Sequence, residues 1–146
     1  MLPENLPAAL KPDGLTPYLH VSATGVQIYV CGMSNGARTW AHKGPEAALL
    51  DAQGNEIGTH YAGPTWEAFG GKIVGAVKAN APGGAGNIPW LLLDVKSREG
   101  AGPFAEAKAI LRVDTKGGVA PADGCDEAHA GQEARVPYMA NYIFLK

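Results

Sequence analysis

From residue 17 onward, apolar and polar positions alternate over short stretches that Gly, Pro, Asn or Asp interrupt, which predicts strands joined by turns. Residues 18–21 and 25–31 flank Ser22-Ala23-Thr24, and Val26, Ile28 and Val30 alternate with Gln27, Tyr29 and Cys31. This reads as a hairpin, and with Ala23-Thr24 as its loop His20 faces Gln27. Residues 39–42, 47–50 and 56–61 follow as strands, with Asp51-Ala52-Gln53-Gly54-Asn55 as the turn between the last two. Residues 65–68 come next. In residues 72–79, Ile73 and Gly75 alternate with Val74 and Ala76, so small side chains on one face predict close packing. Residues 90–95 are almost continuously apolar, as in a strand buried on both faces, and 110–115 lead into Gly117-Gly118. In the last segment Tyr138, Ala140, Tyr142 and Phe144 alternate with Met139, Asn141, Ile143 and Leu145, so both faces carry bulk.

These segments amount to nine or ten short strands, which predicts an all-β, single-domain antiparallel β-barrel or β-sandwich. Alternating inward positions satisfy both architectures. Residues 1–16 contain three prolines and little periodicity and read as an extended N-terminal arm, leaving 17–146 as the β domain. Residues 103–111 are the best helix candidate and read equally well as the entry to a strand.

Composition agrees with this class. Gly and Pro make up 31 of 146 residues and are scattered between the apolar stretches, which leaves little room for long helices. The formal charge of −2 supplies no electropositive surface for nucleic acid, and no apolar run approaches a membrane-spanning length. The expected chain is soluble, without nucleic-acid partners or membrane insertion; its oligomeric state is not encoded in any pattern found.

Two cysteines, Cys31 and Cys125, lie 94 residues apart, too far for a local CxxC motif. A long-range disulfide is favoured over two buried thiols, because Cys125 lies in a polar loop where a free thiol would be reactive. A disulfide implies a secreted or periplasmic protein. Met1-Leu2-Pro3-Glu4 lacks the basic and apolar regions of a signal peptide, so on this reading the sequence starts after the cleavage site, with an added Met.

The most specific local pattern runs from Gly58 to Glu67. A tight turn over residues 62–65 sets Tyr61 opposite Trp66 and His60 opposite Glu67, a carboxylate orienting an imidazole beside two aromatic walls. His60, Tyr61, Trp66, Glu67 and, more remotely, Trp40 are the candidate ligand-binding residues of a pocket that binds or processes a small polar molecule, with the His60–Glu67 couple serving as acid and base or as an anchor. The plain alternative is a cross-strand pair on a wet sheet face, worth about 0.2–1 kcal/mol. His20, His42, His60 and His129 show no local metal-ligand spacing, so no cofactor is predicted; convergence of His20, His42 and His60 on copper or zinc is a further alternative. Residues 83–88 lack the third Gly and the βαβ context of a dinucleotide loop, and no serine lies in a GxSxG elbow. Arg112, isolated in an apolar strand, is expected to project to solvent or to pair with Glu67 or Asp94, the pair being favoured.

Gly25-Val26-Gln27-Ile28-Tyr29-Val30-Cys31, then Trp40, then His60 with Pro64-Thr65-Trp66, then Ile88-Pro89-Trp90-Leu91-Leu92-Leu93 occur in a familiar order. Arg112-Val113-Asp114-Thr115-Lys116-Gly117-Gly118, Cys125 and the segment from Val136 to Phe144 complete it. From about Leu6 to Phe144 the chain resembles a family of exported bacterial and fungal proteins known only as a domain of unknown function. The resemblance implies an exported single domain with its two cysteines in matching positions and His60, Trp66 and Trp90 at family-pattern positions, and no defined activity. Beside the small-molecule reading stands that of a noncatalytic structural or interaction module of the envelope or secretome.

Overall fold

The computed structural model describes residues 2–146; Met1, the first residue of the expected arm and the expected added residue, lies outside them. Eight antiparallel strands follow one another around a closed barrel: β1 (Pro17–Ser34), β2 (Ala37–Leu50), β3 (Glu56–Tyr61), β4 (Thr65–Ala68), β5 (Gly71–Ala81), β6 (Trp90–Gly100), β7 (Ala109–Gly117) and β8 (Glu133–Leu145). Closure comes from β1, which pairs with β2 on one side and with β8 on the other. The all-β antiparallel class is as expected, and barrel rather than sandwich is the outcome. The residues expected at 51–55 form the β2–β3 turn, where Asp51 accepts hydrogen bonds from the backbone of Gln53 and Asn55.

The strand count is corrected to eight by two mergers. The expected hairpin at Ser22-Ala23-Thr24 does not exist, because these residues pair on both sides within one 18-residue strand. Gly25 is there for close approach and not for a turn: a Cβ on it would lie 2.3 Å from the Glu46 carbonyl oxygen and 2.8 Å from the Ala47 Cβ. Likewise 39–42 and 47–50 belong to β2, whose register slips near Lys43 and Gly44 where Ile28 pairs with Gly44 and Tyr29 with His42. At 103–111, neither expectation holds alone: a 3-10 turn (Pro103–Glu106) precedes β7.

The core explains why the late strands carry bulk on both faces. Inside the barrel, Val21, Leu49, Trp66, Ile73, Leu93, Ile110, Tyr138, Tyr142 and Phe144 pack together. Outside it, Leu92, Leu111, Val113, Ile143 and Leu145 form a second cluster with Leu10, whose side chain comes from a 3-10 turn (Ala8–Leu10) in the arm. The base, carrying the turns at 51–55, 69–70 and 101–108, is closed by buried Phe104, whose ring lies 4.9 Å from that of Phe144 and 5.7 Å from that of Phe69. The other end, carrying residues 35–36, 62–64, 82–89 and 118–132, is the mouth.

Cys31 and Cys125 form the expected disulfide, which fastens the long β7–β8 connection to the mouth end of β1. A bond of this kind is compatible with an extracellular or periplasmic protein. Among the described residues no helix is long and apolar enough to cross a membrane.

Because Leu10 is fully buried in the outer cluster that β5 to β8 share, Leu10→Ala is expected to lower unfolding stability by about 2–4 kcal/mol in chemical denaturation. An arm that merely lay over the surface would give a change within about 0.5 kcal/mol.

Candidate binding site in the barrel mouth

His60 and Trp66 meet because the turn between β3 and β4 holds three residues, 62–64, so that His60 pairs with Trp66, Tyr61 with Thr65 and Thr59 with Glu67. The expected register, with His60 opposite Glu67, is thus off by one, and a one-residue slip moves every β4 side chain to the other face. His60 and Trp66 point into the barrel and stack with ring centroids 4.5 Å apart. Room for the indole comes from Gly75, where a Cβ would lie 3.1 Å from Trp66 Cζ3. This is the close packing that the small residues of β5 predict.

The hydrogen bonds fix the tautomer of His60. Its Nδ1 lies 2.8 Å from the Thr65 carbonyl oxygen, which only accepts, so Nδ1 carries the proton and donates. Nε2 is then the acceptor in the neutral ring, and the Tyr142 hydroxyl donates to it across 3.2 Å. Tyr142 has given its only proton, so the Tyr138 hydroxyl donates in turn to Tyr142 across 3.2 Å. Burial holds the His60 pKa down to about 4; the Thr65 bond raises it and the Arg112 charge lowers it further. Burial raises the Tyr142 pKa, so both hydroxyl and imidazole are neutral near pH 7.

Above this floor lies a cavity of about 370 Å³. Every strand lines it: Gln27 from β1, His42 and Pro45 from β2, His60, Trp66, Val77 from β5, Leu91 and Leu93 from β6, Arg112 from β7 and Tyr142 from β8. His42, Lys43, Gly63 and Val77 are exposed and form its rim, whereas Gln27, His60, Trp66, Leu93 and Tyr142 are buried. Gln27, 1% exposed, accepts at Oε1 a 2.6 Å hydrogen bond from His42 Nε2, so His42 bears its proton there. Partial burial and the Arg112 charge lower the His42 pKa. Gln27 Nε2 and Trp66 Nε1 are buried without a hydrogen-bond partner among the described residues.

The other sequence candidates fall elsewhere. Tyr61 and Glu67 share the outer face, where the Tyr61 hydroxyl donates to Glu67 Oε1 at 2.6 Å. Trp40 packs toward the disulfide-bearing connection, its Nε1 donating to the Asp123 carbonyl oxygen at 2.9 Å. His20 is exposed and pairs with Ile143 on the outer wall, opposite in facing to His60, so His20, His42 and His60 do not converge. Among the described residues no group of three His, Cys, Asp or Glu side chains is placed to hold a metal ion. Arg112 pairs with neither Glu67 nor Asp94; its Nε and Nη2 both donate to the Pro89 carbonyl oxygen, at 3.0 and 2.8 Å. Gln27, Tyr138 and Tyr142 were not singled out by sequence, although Tyr138 and Tyr142 fall on one face of their alternating segment.

With His60 near pKa 4 when folded and about 6.5 when unfolded, the unfolded chain binds more protons between those values. Its neutral ring therefore contributes fully above pH 6.5, and up to about 3 kcal/mol is lost as pH falls toward 4. In a His60→Gln variant, urea denaturation across this window is expected to show a pH dependence smaller by about that amount.

No curated protein and no solved structure matches the chain. A match over residues 12–146 places it in a family described as a protein of unknown function, DUF3455. The barrel, from the end of its arm to its last strand, therefore belongs to the DUF3455 family.

Proposed function

We propose that this chain is an exported barrel domain that binds a small polar organic molecule in the cavity above His60 and Trp66. The observation that carries the reading is a single cavity to which all eight strands contribute a side chain. Its volume lies within the range of small-ligand sites, and its lining has the usual composition, apolar walls with a few polar groups at fixed positions. Leu91, Leu93, Trp66 and Val77 supply the walls, while Gln27 and Arg112 supply the polar contacts.

Binding is favoured over processing because both ring nitrogens of His60 are engaged by Thr65 and Tyr142. A general base needs a free nitrogen within reach of a substrate proton. In this reading His60 shapes the floor, and its stacked pair with Trp66 forms a stiff aromatic surface. The disulfide supports export.

Val77 is 55% exposed and lines the rim, so Val77→Trp narrows the entrance without disturbing the core. Screened by chemical-shift perturbation against a panel of small polar aromatic and aliphatic molecules, the parent is expected to bind some at millimolar concentration or better, with shifts at the Trp66 indole. Val77→Trp is expected to weaken them about tenfold or more while melting within about 2 °C of the parent. A panel without a binder, or binding that Val77→Trp leaves intact, sinks the reading in favour of a structural module.

A further inference from the structure

Arg112 lies on the inner face of β7, two residues from the core residue Ile110, and lines the cavity. Two of its nitrogens are spent on one neutral acceptor, the Pro89 carbonyl oxygen, which fixes the plane of the guanidinium but leaves its charge unbalanced. Among the described residues it makes no ion pair within 4 Å, and no Asp or Glu lines the cavity. The other cation at the rim, Lys43, is already held by Glu133 at 2.6 Å.

Arg112 is half-buried, with apolar neighbours on one side and the open mouth on the other, and the apolar side strengthens the field of a charge that no carboxylate balances. The same cavity contains Gln27, nearly fully buried, with an unpartnered Nε2 donor. Uncommitted donors and a single unbalanced charge call for acceptor oxygens bearing one negative charge. The apolar remainder, Leu91, Leu93 and Trp66, calls for a hydrocarbon or aromatic body attached to them.

We propose that the molecule bound in the barrel mouth is a small monocarboxylate, its carboxylate seated on Arg112 and Gln27 and its apolar body against Leu91, Leu93 and Trp66. The inference rests on the cavity being a binding site. Arginine suits the role: its planar fork matches a carboxylate, and the Pro89 contacts orient it before the ligand arrives. Neutral His42 and His60 add no second positive charge, which favours a monoanion over a phosphate dianion; burial and Arg112 keep both imidazoles from gaining a proton.

The test uses matched probes, benzoate and 4-phenylbutyrate against benzamide and 4-phenylbutyramide, titrated into the intact disulfide-bonded protein by calorimetry or chemical shift. The acids are expected to bind at least about tenfold more tightly than the amides. That preference is expected to disappear in Arg112→Gln, to shrink in Gln27→Leu, and to fall in the parent as NaCl rises from about 0.05 to 0.5 M, while amide binding stays constant. If Arg112→Gln does not fold, the acid-to-amide ratio and its salt dependence in the parent decide the matter. Equal binding of acid and amide, or binding of phenyl phosphate in preference to benzoate, overturns the carboxylate and leaves the cavity reading standing. Absence of binding by all four probes overturns the carboxylate too, and the cavity reading falls with it only if the wider panel also finds no binder.

Discussion

The structure depends on the seam between its first and last strands. β1 and β8 pair along nearly their whole lengths, from Leu19 with Phe144 to Val30 with Glu133. Without that seam the sheet has two long free edges, and the inner face of β8 is open to water. With it, Tyr138, Tyr142 and Phe144 turn inward beneath the other walls, and the Tyr142 hydroxyl comes to lie against His60, 82 residues away in sequence. The buried imidazole is tolerated because the seam delivers a donor to one of its nitrogens while Thr65 accepts from the other.

Local pattern carried much of the fold. Alternation marked most strands at nearly the right places, and the apolar run at 90–95 and the two-faced bulk of 138–145 are buried on both sides in part, at Leu92-Leu93 and from Tyr142 to Leu145, whereas Met139 is exposed. Ser22-Ala23-Thr24 misled because three small residues between two apolar runs have the same signature in one dimension whether they turn the chain or continue a long strand. The β3–β4 turn shows how little separates right from wrong: one residue of loop length decides whether His60 meets a carboxylate or an indole.

The site was half legible. His60 and Trp66 announce themselves as unusual residues beside a turn, and both line the cavity. Arg112 stood out as a charge in an apolar strand, but its carbonyl partner, Pro89, lies on another connection, and strand parity does not reveal which neighbour a long side chain reaches. Gln27 looks like any polar residue on a half-wet strand; only closure shows that its face is the interior. What escaped the sequence is therefore what the seam creates, namely contacts between residues far apart in the chain.

The disulfide bears on how such a seam is found. Ser22 and Asn141, partners across it, are 119 residues apart along the backbone. Through the Cys31–Cys125 crosslink the route shortens to nine residues on one side and sixteen on the other. By loop-closure statistics that shorter route lowers the entropic cost of bringing the two edges together by about 1.4 kcal/mol. A disulfide formed before the barrel closes turns its most distant strand pairing into a far more local one, which favours closure of the two edges on each other over pairing with the edges of a neighbouring chain.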